Sequence, residues 1–299
     1  MINLRTIIFS KDRPLQLHGT LESFRLRCLE SSTVPVSVIY RATSSEYVNG
    51  YERLKKEFAM KLSIDWIEET NFKKNLLDQL IDSKGQKSGL IGRIFGRKVM
   101  LRHLYVLFLV DDNLFIRDFS IETTLATLGK NPTSIGFSLR VGKNTHYCYS
   151  NSCQQAFPEF INAAEGVLSF HWPGCEGDFG YPIEVSSSVY RTKDLLSLLQ
   201  NLPYSNPNRL EQALSVSSRL FARKQPKLLC FDRSVAFCVP VNKVQNILDN
   251  RAGSSEEYSS EALNQLFLKG YRIDVEKLNG FTPDAAHQEI ELPLTKVVS

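Results

Sequence analysis

The chain has 299 residues, 42% apolar and 23% charged, with 36 lysines and arginines against 32 acids for a net charge of +4. That length suits one large α/β domain or two small ones. The weak positive excess argues against a nucleic-acid binder and leaves room for an anionic ligand or a membrane surface.

No apolar run approaches the roughly 20 residues that a spanning helix needs, and the first strand begins too close to Met1 for a secretory leader. The six cysteines (Cys28, Cys148, Cys153, Cys175, Cys230 and Cys238) form no C-x-x-C pair and no zinc spacing. They read as buried or incidental thiols in a reducing cytosol.

In chain order, Leu4 to Ser10 reads as a strand, Lys11-Asp12-Arg13-Pro14 as a turn, and Leu15 to Leu29 as a helix with apolar residues near helical spacing. Val34 to Tyr40 is a second strand, Tyr47 to Lys61 a helix, Ser63 to Glu68 a short strand and Phe72 to Ser83 a helix. Lys84 to Lys98 then breaks the alternation with five cations, four glycines and no acid. It reads as a solvated loop, as a basic lid over phosphates, or as a patch touching an anionic membrane.

Next comes Tyr105-Val106-Leu107-Phe108-Leu109-Val110-Asp111-Asp112-Asn113. Six apolar residues in a row fit a central strand buried on both faces, here Leu104 to Val110. Ligands of such sheets collect beyond the carboxyl ends of the strands. Two adjacent carboxylates repel unless a cation lies between them, and hard oxygens suit Mg²⁺ or Mn²⁺. A strand ending in an ordinary Asp/Asn turn is the plainer reading of the same residues.

Beyond the motif the pattern is less regular. Ser134 to Arg140 is a predicted strand, Thr145 to Gln155 irregular, and Ala156 to Glu165 a short helix. Phe170 to Pro182 is rich in aromatics, glycines and acids, which suits either sugar stacking or a packed loop crossing the core. Val185 to Tyr190 is a strand, Lys193 to Gln200 a helix, Tyr204 to Asn208 a turn and Arg209 to Phe221 a helix. A strand over Ser234 to Pro240 and helices near Val244 to Asn250 and Ser260 to Lys269 follow. The tail beyond Glu291 reads as frayed.

Taken in order, these segments resemble the GT-A fold nucleotide-sugar glycosyltransferases, with family 2-like features. Ile7-Ile8-Phe9-Ser10-Lys11-Asp12-Arg13-Pro14-Leu15 looks like their first strand and donor-contacting turn. Val110-Asp111-Asp112-Asn113 looks like their D-x-D metal motif, with Asn in the last position. The resemblance implies an α/β fold: a mostly parallel central sheet flanked by helices, with a mixed acceptor-side half. One domain over 1–291 is expected, its nucleotide-binding half 1–115 and acceptor half 116–291, with a tail at 292–299.

It also implies site residues. Ser10, Lys11, Arg13, Tyr40, Arg41 and Asp111 are candidate donor contacts. Asp112, Asp111 and the late His287 are candidate ligands for Mn²⁺ or Mg²⁺. Glu211 is the candidate catalytic base: read as opening a helix, it would be held as the anion that an acceptor hydroxyl needs. Asp178 is the second candidate. Either would activate a hydroxyl to attack the anomeric carbon, and inversion is expected because no nucleophile stands beside the motif.

The implied function is metal-dependent transfer of a sugar from a nucleotide-diphosphate donor to a carbohydrate or glycolipid hydroxyl, in glycan or polysaccharide synthesis. The setting would be cytoplasmic, with peripheral membrane contact open. A sugar nucleotidyltransferase shares the sheet and carboxylates, but the Ser10-to-Pro14 turn has no glycine to cradle a triphosphate. A degenerate binding domain is the third reading, suggested by Asn113 and by a lone acid at Glu211.

Overall fold

A computed structural model of the chain describes residues 2–82, 100–242 and 258–297. The predicted basic loop over Lys84 to Lys98 and the helix near Val244 to Asn250 lie outside them. The first half alternates as the sequence suggests: β1 (Leu4–Lys11), α1 (Pro14–Arg27), β2 (Val36–Arg41), α2 (Ser45–Phe58), β3 (Ile64–Glu68), α3 (Phe72–Leu80) and β4 (Tyr105–Val110). After β4 come β5 (Asn113–Phe115), α4 (Ile121–Lys130), β6 (Ser134–Ser138), β7 (Tyr147–Cys148), β8 (Cys153–Gln154), β9 (Ile161–Ala164) and β10 (Val167–His171). Then follow β11 (Ser188–Arg191), α5 (Thr192–Asn201), α6 (Pro207–Ser217), β12 (Lys227–Phe231), β13 (Ala236–Cys238), α7 (Ser260–Leu268), β14 (Tyr271–Ile273) and β15 (Leu294–Lys296).

Nine strands form one sheet in the order β3-β2-β1-β4-β11-β6-β12-β10-β9. The pairs β3/β2, β2/β1 and β1/β4 are parallel, whereas β11 runs antiparallel to both β4 and β6. The architecture is therefore α/β, with a parallel first half and a mixed second half, flanked by helices. β4 lies between β1 and β11, and Val106, Leu107, Phe108 and Leu109 are fully buried. Leu107 and Leu109 enter the core on one face, and Val106 and Phe108 the core on the other. Alternation with period two explains why an unbroken apolar run is needed here. Each of these side chains contributes about 1.5–3 kcal/mol by leaving water.

Three predicted segments take a different form, the aromatic stretch takes the second of its two readings, and α4, β10 and β12 have no predicted counterpart. Ala156 to Glu165 is not helical: Ile161–Ala164 is an exposed strand turned onto β10 by Glu165-Gly166, with Gly166 at φ 67°. That two-residue turn requires the left-handed backbone glycine provides, and its pairing overrides local helix propensity. The tail is not frayed at Leu294–Lys296, which pairs antiparallel with Tyr271–Ile273, and Leu292 is buried. The aromatic stretch is a packed element: Phe170, Trp172 and Phe179 are buried, and Phe170 meets Phe179 edge-on at 5.4 Å. Lastly, α6 begins at Pro207 under an Asn206 cap that accepts from Arg209 N at 3.0 Å, two residues before the predicted start.

Candidate functional site

A cleft of about 990 Å³ opens beyond the carboxyl ends of β1, β2 and β4. One wall carries Ser10, Lys11, Arg13, Arg41, Asp111 and Asp112; the opposite wall carries Arg140, Asp178, Tyr181, Glu211 and His287. Register explains the first wall. Ser10 and Lys11 lie beside Tyr40 and Arg41, and Phe9 lies beside Val110, so the ends of three strands and their turns come together.

The turn after β1 is held tightly. Asp12 is buried at φ 56° and accepts from Thr43 N at 2.7 Å and from Thr43 Oγ1 at 2.9 Å. An aspartate tolerates the left-handed region because its short side chain bonds locally. This turn sends Arg13, the residue before α1, across to the end of β4. Its Nη1 donates to Asp111 Oδ1 at 3.0 Å and to Asp112 Oδ2 at 3.2 Å, while Nη2 donates to the Asn242 carbonyl. Asp111 also accepts from Lys11 N at 3.1 Å. The cation that the paired carboxylates require is thus supplied here by the chain itself.

The electrostatics follow. Burial pushes the Asp112 carboxyl up to about 6, with Arg13 pulling it down and Asp111 pushing it further up. Burial likewise raises Asp111, against Arg13. Burial works against the Arg13 charge, but Asp111 and Asp112 outweigh it and hold its pKa above the ordinary value.

Asn113 does not face the cleft. It is fully buried, accepts from Val110 N at 2.8 Å, and donates to the Ser186 carbonyl at 2.6 Å and toward Cys238 Sγ at 3.1 Å. The third position of the motif is a turn clamp, so its being an amide removes no ligand.

On the opposite wall, Arg140 is buried with its Nε 3.9 Å from Glu184 Oε1. Burial opposes its charge, yet Glu184, Asp178, Cys238 and Glu211 raise its pKa. Glu211 is the fifth residue of α6, not a first-turn acid, so the expected helix-terminus effect does not act on it. Its proton affinity goes the other way: burial raises it, Glu184 adds, and Arg140 opposes. Its Oε2 accepts from Val185 N at 3.3 Å, and Tyr181 donates to it. Asp178 is raised chiefly by burial, against Arg140, and lies 3.4 Å from Gln155 Nε2. Gly177 (φ 60°) makes room for this, since a Cβ there would meet Gln155 Oε1 at 2.3 Å.

His287 reaches the cleft through a bridge with Cys238, and its Nδ1 lies 3.4 Å from Arg140 Nη1. Arginine only donates, so this ring nitrogen is the acceptor. Burial, then Arg140, lowers the ring's pKa to about 3, which leaves it neutral. Tyr40 does not line the cleft: its ring lies 4.6 Å from that of Tyr51, and its hydroxyl accepts from Lys55 at 2.9 Å. Arg41 is exposed at the rim and pairs with Glu69 at 3.8 Å. His171 is exposed and bonded to the Pro173 carbonyl.

The sequence reading missed Arg140, Glu184 and Tyr181. An isolated acid among Pro182 to Tyr190, otherwise small or apolar, was the signal for Glu184. Arg140 closes a predicted strand, and nothing beside it in the sequence points to Glu184.

A divalent ion fits the donor wall in one respect. Two carboxylate oxygens converge on a single cationic nitrogen, and magnesium is commonly held by one or two carboxylates completed by substrate phosphates. Among the described residues no three His, Cys, Asp or Glu side chains are grouped as a metal shell.

No family model matches the chain. The bifunctional glycosyltransferase pgtA of Dictyostelium discoideum is 26% identical over 302 residues, 92% of this chain and 36% of that protein. The chain is homologous to a glycosyltransferase. It spans about a third of that relative's length. Among solved structures, S. aureus TarS 1-349 in complex with UDP-GlcNAc aligns with a TM-score of 0.49 and 11% identity, over 82% of this chain and 60% of that one. The mannosyltransferase PcManGT from Pyrobaculum calidifontis, in complex with GDP-Man and Mn²⁺, aligns at 0.37 and 14%, over 76% and 53%. Among the described residues no helix is long and apolar enough to cross a membrane.

Proposed function

We propose that the cleft transfers a glycosyl group from a nucleoside-diphosphate sugar to a hydroxyl acceptor. The observation that carries this reading is that two sets of charged groups line one cleft. Arg13 with Asp111 and Asp112 stands at the strand ends, and the proton-avid carboxyls of Glu211 and Asp178 stand opposite. The homology to a named glycosyltransferase supports it.

In this mechanism Arg13 and Lys11 attract the diphosphate, and the rim cation Arg41 adds to the positive field. Asp111 and Asp112 would hold a divalent cation, which would supply charge neutralisation as the diphosphate departs. Glu211 takes the proton of the acceptor hydroxyl. The acceptor oxygen bonds to the anomeric carbon, the bond from that carbon to the phosphate oxygen breaks, and the diphosphate carries away its electron pair. Elevated proton affinity suits Glu211 to this task, because a base works best when its pKa approaches the working pH. Asp178 holds the same wall. We read a single displacement with inversion, in which the acceptor oxygen attacks the anomeric carbon directly and no covalent intermediate forms on the chain.

We place the activity in glycan or polysaccharide synthesis, with a carbohydrate or glycolipid acceptor and with cytoplasmic, membrane-peripheral action as the working setting. The test is a panel of nucleotide sugars with Mn²⁺ or Mg²⁺, following nucleotide release and assigning the product anomer by NMR. Transfer lost in both Asp112→Ala and Glu211→Gln supports the assignment; full activity in both removes it. Pyrophosphate release from a nucleoside triphosphate and a sugar phosphate would instead favour a nucleotidyltransferase. Nucleotide binding without turnover on any acceptor would favour a binding domain.

A further inference from the structure

We infer that Arg13 is a built-in competitor for the cation site, so that Asp111 and Asp112 accept a divalent ion well only after a diphosphate has drawn Arg13 away. The inference rests on the donor-wall reading above and extends it to the order in which ligands bind.

Three observations carry it. One guanidinium nitrogen contacts both carboxylates, at 3.0 and 3.2 Å, so it engages the oxygens that would hold the ion. A divalent ion and that nitrogen cannot both be there, because like charges at contact distance repel strongly where water is scarce. Second, the guanidinium is not fully used. Its Nε is buried with no hydrogen-bond partner among the described residues, although a buried donor without a partner is costly. A diphosphate offers the bidentate acceptor pair that the planar fork matches better than two separate carboxylates do. Third, the backbone around Arg13 is fixed while its side chain is long. Asp12 is pinned by Thr43, Pro14 starts α1, and Arg13 N lies 3.4 Å from the Tyr51 hydroxyl. Rotation about side-chain bonds is therefore the cheap way for the charge to move between carboxylates and phosphate.

Reciprocity makes the idea measurable. If a nucleoside diphosphate removes Arg13 from the carboxylates, it strengthens metal binding by the same factor by which the metal strengthens nucleotide binding. The experiment titrates Mn²⁺ into the full chain by electron paramagnetic resonance, with and without UDP or GDP, correcting for Mn²⁺ held by free nucleotide. The wild type is expected to bind Mn²⁺ weakly alone. Arg13→Gln should bind Mn²⁺ at least tenfold more tightly in the absence of nucleotide, and Arg13→Lys, which keeps the charge, less than threefold. Adding Asp112→Asn to Arg13→Gln should abolish the gain.

Equal Mn²⁺ affinity in wild type and Arg13→Gln, including no binding by either, overturns the inference. Should Arg13→Gln fail to fold, the wild type decides alone: Mn²⁺ affinity that nucleotide leaves unchanged overturns it. The metal-alone arm needs no turnover. A tighter Arg13→Gln site in a protein that binds no nucleotide would thus leave the competition standing while removing the glycosyltransferase reading.

Discussion

The side chain of Asn113 accepts a hydrogen bond from the backbone N–H of Val110 at 2.8 Å, closing the turn that turns Asp111 and Asp112 toward the cleft. Its amide nitrogen meanwhile donates to Ser186, at the approach to β11. The residue therefore ties the end of β4 to the approach to β11, and the donor half of this clamp depends on its being an amide. Asn113→Asp restores the acidic third position that the resemblance leads one to expect, yet it should not improve the site. The donor to Ser186 is lost and a carboxylate is buried against a carbonyl oxygen, at a cost of roughly 1–3 kcal/mol. A lower Tm with no gain in Mn²⁺ affinity is the expected result of thermal and calorimetric titration. Tighter metal binding in this variant would show that the side chain can turn into the cleft.

Protonation of the donor wall sets a second expectation. Burial pushes the Asp112 carboxyl up to about 6, above the ordinary aspartate value of 3.8. Between those two values the folded state binds more protons than the unfolded one. Stability contributed by this group is therefore greatest at low pH and declines as pH rises toward 6. Activity should run the other way, because the anion is the useful form. A rising limb of kcat/KM with an apparent midpoint near 6, shifted upward in Arg13→Gln because the opposing cation is gone, is the profile to look for. A flat profile between pH 5 and 7 would remove Asp112 from the donor wall's working groups.

The acceptor wall offers two carboxyls, and substitution separates them. Glu211→Gln keeps the shape and the contact with Val185 N but cannot accept a proton. It should lower kcat by about 10²–10⁴-fold, the usual contribution of a positioned base, with little change in donor affinity measured by calorimetry. Asp178→Asn is expected to cost less than Glu211→Gln. A reversal of that order would hand the role of base to Asp178.

Much of this was readable from residues alone, and the reasons differ by region. The parallel half announced itself because a strand buried on both faces must be apolar throughout, as Val106 to Leu109 are. The strand ends that carry Ser10, Arg13 and Asp111 then followed from alternation of strand and helix. The acceptor half resisted because its information is non-local. Glu184 meets Arg140 across 44 residues, and Glu211 joins them only through the packing of α6. Tyr40 departs from its expected place through strand parity: Ile39 and Arg41 face the cleft, so their neighbour faces the core with Tyr51. Tyr40→Phe should accordingly leave donor affinity within about twofold.

Arg140 provides the sharpest test of the buried wall. It is the positive centre facing Glu184, Asp178 and Glu211, and Glu184 has little access to water, with Oε1 unpartnered except for the guanidinium 3.9 Å away. Arg140→Met removes that charge and leaves the acids facing one another. Breaking a buried pair from one side costs about 3–5 kcal/mol, because the stranded charge keeps its desolvation penalty. Arg140→Met should therefore unfold at distinctly lower denaturant concentration than wild type. Removing the acid as well, in Arg140→Met/Glu184→Gln, should recover part of the loss, so that the double variant is more stable than the sum of the single changes predicts. Glu184→Gln by itself keeps the bonds from Ser186 and should be the mildest of the three. Strict additivity in this cycle would mean that the guanidinium and the carboxylate do not act as a pair.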